Sequence, residues 1–279
     1  MKVKIRILDR NVIKKSVRLI AGASTVLSAI LLFVNIPDDY KIMAGIAFLI
    51  VLALIHIVTW VGANRLRDIS IEIEGSKVNI VTGDIFKQEG LKVIAFNEYL
   101  DTQVDNVIIS KLSLNGKFIE SEMKDDVAVL DAHIANFSFD DEDVVETNVQ
   151  RRIGKTTRYR LGTICVYNDY LLTAFARFDM NNRANLTMPE YLEFLINFWD
   201  KVNKVYAQQS VSTTIFGSGI TRIKGHRTIS DEDLLKIMLW TFRISEMRFK
   251  HPAKLTIVIH DDKIDQINLL DIASVKNGV

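Results

Sequence analysis

The chain has 279 residues, 48% of them hydrophobic and 25% charged, a composition that excludes disorder as its main state and suits one large domain or two ordinary ones. Thirty-five basic against thirty-four acidic side chains leave a net charge of +1, which gives no reason to expect a dedicated nucleic-acid binder. A single cysteine, Cys165, excludes an intramolecular disulfide and reads as a buried thiol in a reducing compartment.

A mean hydropathy of +0.15 beside a quarter of charged residues requires that apolar and charged side chains be segregated. Residues 19–34 (LIAGASTVLSAILLFV) and 42–61 (IMAGIAFLIVLALIHIVTWV) hold no formal charge. At 1.5 Å per residue the second run covers about 30 Å as a helix, the thickness of a bilayer core. Asn35 and Ile36 extend the first run as far as Pro37. The sequence therefore predicts an N-terminal two-helix transmembrane hairpin within residues 1–68, with spans 19–36 and 42–61 joined by Pro37–Lys41. No small-residue cleavage site follows Phe33-Val34, which argues against a signal peptide.

Seven cations from Lys2 to Arg18 precede the hairpin, Arg65 and Arg67 follow it, and its loop carries Asp38, Asp39 and Lys41. The positive-inside rule then puts both termini in the cytoplasm of a multi-pass plasma-membrane protein. Tyr40 and Trp60 fall at interfacial positions. His56, inside the second span, reads either as a proton-relay or pore-lining group or, with more weight, as a side chain that bonds a neighbouring helix or reaches the interface. Two spans cannot enclose a pore, so homo-oligomerisation is expected.

From residue 69 the pattern changes to a second domain, 69–279. Ile69, Ile71 and Ile73 alternate with polar residues, turn at Gly75-Ser76 and resume at Val78, the mark of a β-hairpin. LKVIAFN after Gly90 reads as a buried strand. Residues 138–158 pass from acidic (FDDEDVVETN) to basic (QRRIGKTTRYR) and read as a solvated loop, with a hinge or ligand-gated flap as the functional alternative. YRLGTICVY and LLTAFARF follow as strands. Helices are predicted over Thr187–Tyr206, opened by a Thr187/Glu190 capping box with Pro189, and over Ser230–Met247, opened by Ser230/Asp233. Between and after them, VSTTIF and KLTIVIH are strands. The alternation implies an α/β sheet covered on both faces, with a crevice at its carboxyl edge. Phe194, Phe198, Trp199 and Trp240 stand at helical spacing and read as core.

Two turns carry chemistry. In Gly83-Asp84-Ile85 a carboxylate just after a strand can accept from an exocyclic amine such as adenine offers; an ordinary turn is the plainer reading. Phe216-Gly217-Ser218-Gly219-Ile220-Thr221-Arg222 links a strand toward a helix, and its glycines let successive N–H groups approach phosphate oxygens, with Ser218, Thr221 and Arg222 as further donors. It is neither a P-loop nor a dinucleotide fingerprint, since it lacks Gly-Lys-Ser/Thr and the third glycine. His133, His226, His251 and His260 lack metal-ligand spacing, so no metal is expected.

Taken in order, Gly83-Asp84-Ile85, Asn97 at the end of a strand, and Gly217-Ser218-Gly219-Ile220 resemble a macro domain over roughly residues 69–262. The resemblance implies a three-layer α/β/α fold that binds an ADP-ribose derivative. Asp84 and Ile85 would hold the adenine, Asn97 would face the distal ribose, and Gly217 to Thr221 would wrap the pyrophosphate; Asp101, Thr102 and Arg222 join the ligand-binding set. Glu98–Asp105 replaces the glycine-rich loop usual after that asparagine, which argues against hydrolysis. Asp105 nevertheless matches the acid of hydrolytic members, so a membrane-tethered ADP-ribosyl hydrolase is the alternative.

The hairpin together with IAFNEYLDTQVDNVIISKLSLNGKFI, YRLGTI, LLTAFARFD and IFGSGITR is similar to the membrane-anchored macro-domain effectors of type II Thoeris antiphage systems. That likeness implies a sensor rather than an enzyme. A partner TIR-domain protein would make an ADP-ribose-derived signal, histidine-linked ADP-ribose in this branch. The macro domain would bind it, and the membrane part would then disrupt the bilayer and stop growth or kill the cell, with no cofactor beyond the ligand and no nucleic acid.

Overall fold

Asp9 opens the first helix. Its carboxylate accepts from the amides of Asn11 (2.9 Å) and Val12 (3.2 Å), an N-cap that satisfies two otherwise orphaned donors. The structure is a computed structural model that describes residues 3–179, 182–219, 221–224 and 229–274, with Arg222 and Lys224 described in their backbone alone. Helix α1 runs Arg10–Leu31, beginning inside the basic segment rather than at Leu19 and ending before the expected Ile36. Pro37 pushes its predecessor away from helical backbone, and Leu32–Ile36 become the connection. Only Leu19–Leu31 is both helical and free of charge, about 20 Å of rise.

Helix α2 runs Asp38–Arg65. Asp38–Lys41, read above as loop, form its first turn, where the helix dipole favours the two acids. Among the described residues α2 is the one helix long and apolar enough to cross a membrane. The two helices pack as an antiparallel pair, and residues 4–7 lie along the last turns of α2. Asn64 Oδ1 accepts from the amides of Lys4 and Ile5, both at 2.9 Å, and Trp60 Nε1 donates to the Ile5 carbonyl at 2.8 Å. His56 is fixed in the same way, with Nδ1 3.0 Å from Ser16 Oγ and Nε2 3.0 Å from the Ile7 carbonyl.

The second domain opens with the expected hairpin, β1 (Ile69–Ile73) and β2 (Ser76–Thr82), antiparallel through a turn in which Glu74 and Gly75 both take positive φ. Next come β3 (Leu91–Asn97), the short α3 (Leu114–Lys117) and α4 (Val127–Asn136). The charged stretch 138–158 is not structureless: β4 (Val144–Glu146) and β5 (Arg158–Tyr159) pair within it. Strands β6 (Ile164–Tyr167) and β7 (Tyr170–Phe178) turn at Asn168, and β8 (Ala184–Thr187) leads into α5 (Met188–Val205) through the Thr187/Glu190 capping box. After β9 (Val211–Thr214) and β10 (Arg222–Lys224) come α6 (Asp231–Ile244), β11 (Leu255–Ile259) and α7 (Leu269–Ser274). Helix α6 stops short of Met247 because Ser245 turns to extended backbone.

Nine of the described strands form one mixed sheet in the order β1-β2-β11-β9-β3-β7-β8-β10, with β6 also on β7. Its centre, β2-β11-β9-β3-β7, is parallel. Side chains alternate across β3: Leu91 and Val93 enter one core with α5, α6 and α7, while Ile94 and Phe96 enter a second with α3 and α4. The domain is therefore a three-layer α/β/α sandwich. Phe194, Phe198 and Trp199 are fully buried as expected, but Trp240 is 41% exposed on the outer side of α6.

Candidate functional site

Parallel strands place their carboxyl ends on one edge, and the loops leaving β3 and β9 there enclose a cleft. Its cavity of about 210 Å³ is lined by Asn97, Ser110, Ser113, Phe178, Gly217 and Thr221 among others. A pocket of about 480 Å³ adjoins it, sharing Ile108, Ser110, Phe178 and Ala184 and reaching outward to Asn106 and Asn182. The inner cavity alone is small beside typical sites of roughly 300–1,000 Å³, so a dinucleotide-sized ligand needs the extension or some opening of the loops.

The loop after β9 is held from below. Tyr191 Oη donates to the Phe216 carbonyl at 2.9 Å, and the Phe216 amide meets Met238 Sδ at 3.4 Å. Gly217 takes φ +83°, which disfavours any Cβ, although such a Cβ would make only ordinary contacts with Leu234 and Ile223 at 3.4 and 3.5 Å. Gly217, Gly219 and Thr221 all line the cavity. Ser218 does not; its carbonyl accepts from Lys263 Nζ at 3.0 Å. Ile220 and the Arg222 side chain lie outside the described residues. Among the described residues lining the inner cavity none is Lys or Arg, and Arg183 lines the adjoining pocket, so an anion in the inner cavity would depend on backbone N–H groups and hydroxyls.

The facing wall is the loop between β3 and α3. Ser113 caps α3, accepting from the Gly116 amide at 3.1 Å while donating to the Ser110 carbonyl at 2.6 Å. A Cβ on Gly116 would stand 2.2 Å from that same carbonyl oxygen, so the residue must be glycine for the wall to close.

Asn97 lines the cleft, yet its amide is committed locally. Nδ2 donates to Asp101 Oδ2 at 2.9 Å, and Oδ1 accepts from the amide of Tyr99 at 2.9 Å. Asp101 and Thr102 do not line the cavity. Asp101 is 1% exposed and receives Arg151 and the Lys155 amide (2.7 Å) besides Asn97. Thr102 donates to Asp131. Both brace the turn that carries Asn97. Glu98, also buried, pairs with Arg177 at 3.1 Å and accepts from the Phe178 amide. Burial raises its carboxyl, and the Phe178 amide and Arg177 offset this only in part.

Asp84 stands at the carboxyl end of β2, exposed, and caps a single 3-10 turn by accepting from the Phe86 amide at 3.0 Å. Ile85 beneath it is buried. They share the sheet edge with the cleft but not the lining of its inner cavity. Asp105 lies outside that lining as well: it accepts from the amides of Ile108 (2.7 Å) and Val107 (2.8 Å) and from Gln103. Desolvation alone would raise its carboxyl, but these donors together outweigh it and hold the group below the usual aspartate range.

Arg151, which sequence reasoning did not single out, comes from the charged stretch and braces two walls together. It binds Asp101 and donates to Asn182 Oδ1 at 3.0 Å. The switch from acidic to basic at 138–158 was its one sequence signal.

From the glycine loop a run of paired side chains leads to the N-terminal helices. Lys263, which holds the Ser218 carbonyl, sits 3.1 Å from Asp231 at the start of α6. One turn on, Lys236 Nζ lies 2.8 Å from Glu232 and 2.6 Å from Asp271, and Glu232 accepts from the Asn268 amide at 2.7 Å. Asp271, on α7, accepts in turn from Asn11 Nδ2 of α1 at 2.7 Å, and Leu270 packs on Ile5, Val12 and Ala63.

A three-layer sandwich with a glycine loop facing a strand-end asparagine defines a macro-domain-like protein. Residues 78–260 match the family described as Thoeris protein ThsA, Macro domain. Across 285 residues the whole chain is 36% identical to the Thoeris protein ThsA of Bacillus amyloliquefaciens (strain Y2), covering 94% of that relative. The chain belongs to the ThsA macro-domain family of Thoeris antiphage defence. Solved macrodomains of Oceanobacillus iheyensis are more distant. The one with ADP is 14% identical with a TM-score of 0.39, and the one with MES bound is 14% identical with a TM-score of 0.38; each covers 75% of this chain and 94% of its own.

Proposed function

We propose that the chain is a ligand-gated membrane effector. Its cleft binds an ADP-ribose derivative, histidine-linked ADP-ribose, produced by a TIR-domain partner on infection. Binding regroups the α1/α2 pairs of several copies in the plasma membrane, both termini remaining cytoplasmic, and the bilayer is breached. One observation carries this reading: helix α6 is held at its start to the ligand-facing loop through Lys263, which pairs with Asp231 and holds the Ser218 carbonyl, and one turn on, through Glu232/Lys236–Asp271–Asn11, to the apolar helix pair. A ligand can shift such an equilibrium only by its difference in affinity for the two arrangements, and a loop bonded to α6 is where that difference arises.

Binding without turnover is favoured by the state of Asp105, whose carboxylate accepts from two backbone amides that hold it below the usual aspartate range and so make it a weaker base. The test uses the full chain reconstituted in liposomes. Calorimetry with ADP-ribose and its histidine conjugate reads binding, dye release reads the membrane response, and chromatography of the ligand reads turnover. Binding and dye release with intact ligand are expected. No binding, release independent of ligand, or steady hydrolysis overturns the proposal.

A further inference from the structure

Along α1, Arg10, Lys14 and Arg18 recur at i, i+4 and i+8, so they share one face, with Lys15 beside them. All four are exposed. The nearby acid, Asp9, has its carboxylate turned to the amides of Asn11 and Val12, and among the described residues no carboxylate forms an ion pair with any of the four. The opposite flank, Val12 and Ser16, is buried against α2 and α7. Between the two, Ile13 and Val17 are 39% and 56% exposed, so cations and aliphatic side chains adjoin on one open surface.

The position of this surface is fixed. Ser16 is tied to His56, and Ile5 to Trp60 and Asn64, which sets the cationic turns of α1 level with the end of the apolar run of α2, where Arg65 is also exposed. Cations beside aliphatic side chains at the end of a membrane-length helix match the chemistry of a bilayer interface, phosphates above and acyl carbons below. A nucleic acid would match the cations but leave Ile13 and Val17 without a partner.

We infer that Arg10, Lys14, Lys15 and Arg18 form a binding surface for anionic phospholipid headgroups. The inference rests on the membrane reading above and adds that seating depends on lipid charge.

The full chain, expressed in its membrane and extracted with its annular lipid, gives the test. Phosphatidylglycerol carried by the protein is compared with the bulk membrane, for wild type, for Arg10→Gln, Lys14→Gln, Lys15→Gln and Arg18→Gln combined, and for Arg10→Lys with Arg18→Lys. Wild type is expected to enrich the anionic lipid by roughly threefold or more, less at high salt. The lysine variant should keep the enrichment, and the glutamine variant should reach the membrane fraction but lose it. Equal enrichment in wild type and the glutamine variant overturns the inference alone, as does a wild type at the bulk ratio or one that prefers an oligonucleotide to anionic vesicles. Wild type missing from the membrane fraction overturns the membrane reading as well.

Discussion

The Arg151 guanidinium lies between the Asp101 carboxylate, 3.0 Å from Nη2 to Oδ2, and the Tyr99 ring, whose centroid is 3.7 Å from Cζ. Both partners of the ion pair are almost fully buried, Arg151 at 8% and Asp101 at 1% exposure. A pair so buried is weak evidence for net stabilisation, but removing one partner strands the other. Arg151→Ala should therefore lower stability by about 3 kcal/mol and weaken ligand binding, because the turn bearing Asn97 loses its brace. Arg151→Lys keeps the charge but not the fork, and should fall between. Thermal melts with binding isotherms check this; an Arg151→Ala chain as stable and as tight as wild type would refute the bracing role.

Gly116 and Gly217 offer a paired test of the cleft walls. Gly116→Ala forces a methyl onto the Ser110 carbonyl, and should cost about 1–3 kcal/mol with loss of binding. Gly217→Ala meets only ordinary contacts but an unfavourable φ; about 1–2 kcal/mol of strain falls on the loop, and affinity should drop by roughly tenfold with a fall in melting temperature of roughly 2–8 °C.

If the proposed coupling holds, Asp271 should separate sensing from response. Asp271→Ala breaks the contacts of α7 with Lys236 and Asn11 at a distance from the cleft. Ligand affinity should stay within about threefold while ligand-driven dye release falls at least about tenfold. An Asn11→Ala, Asp271→Ala double mutant no worse than either single one would show that the two act as a unit. Dye release unchanged in Asp271→Ala would sink the proposed coupling.

Cys165 is buried, and desolvation pushes its thiol up to about 12 from 9.0, opposed only weakly by Lys155. The sign follows from the protons held. Between pH 9 and 12 the native thiol keeps a proton that the unfolded chain has lost, so this contribution is complete below pH 9 and is lost as pH rises through that window. At pH 8 a thiol reagent should label the native protein slower than the unfolded one by a factor on the order of 10²–10³. Rapid labelling of the folded chain would contradict the burial.

What the sequence reveals here is mostly local. Strand β3, the two capping boxes and both glycine-bearing turns lie where pattern and turn chemistry put them, because each depends on neighbours a few residues away. Helix boundaries near Arg10 and Leu31 were missed: charge marks the end of an apolar run but not of a helix, and lysine and arginine are good helix formers. The short strands β8 and β10 carry too few residues for a period to show. The bracing partner of Asp101, Arg151, is not legible from the sequence, because it stands fifty residues on in a stretch with no hydrophobic pattern. The run from Lys263 through Asp231 to Asp271 and Asn11 joins opposite ends of the chain, and no spacing rule reaches that far. Trp240 shows the limit of helical periodicity, which groups residues on a face without saying whether the face is covered.

The brevity of the uncharged part of α1, Leu19–Leu31, has a mechanical meaning on the membrane reading. About 20 Å of apolar helix against roughly 30 Å of hydrocarbon is a mismatch that the lipid must absorb by thinning around each copy, at a fraction of a kcal/mol per Å. Dimples in an elastic sheet merge to share their rims. The bilayer itself would then draw copies together, and the ligand would need to supply only the remainder of the free energy of assembly.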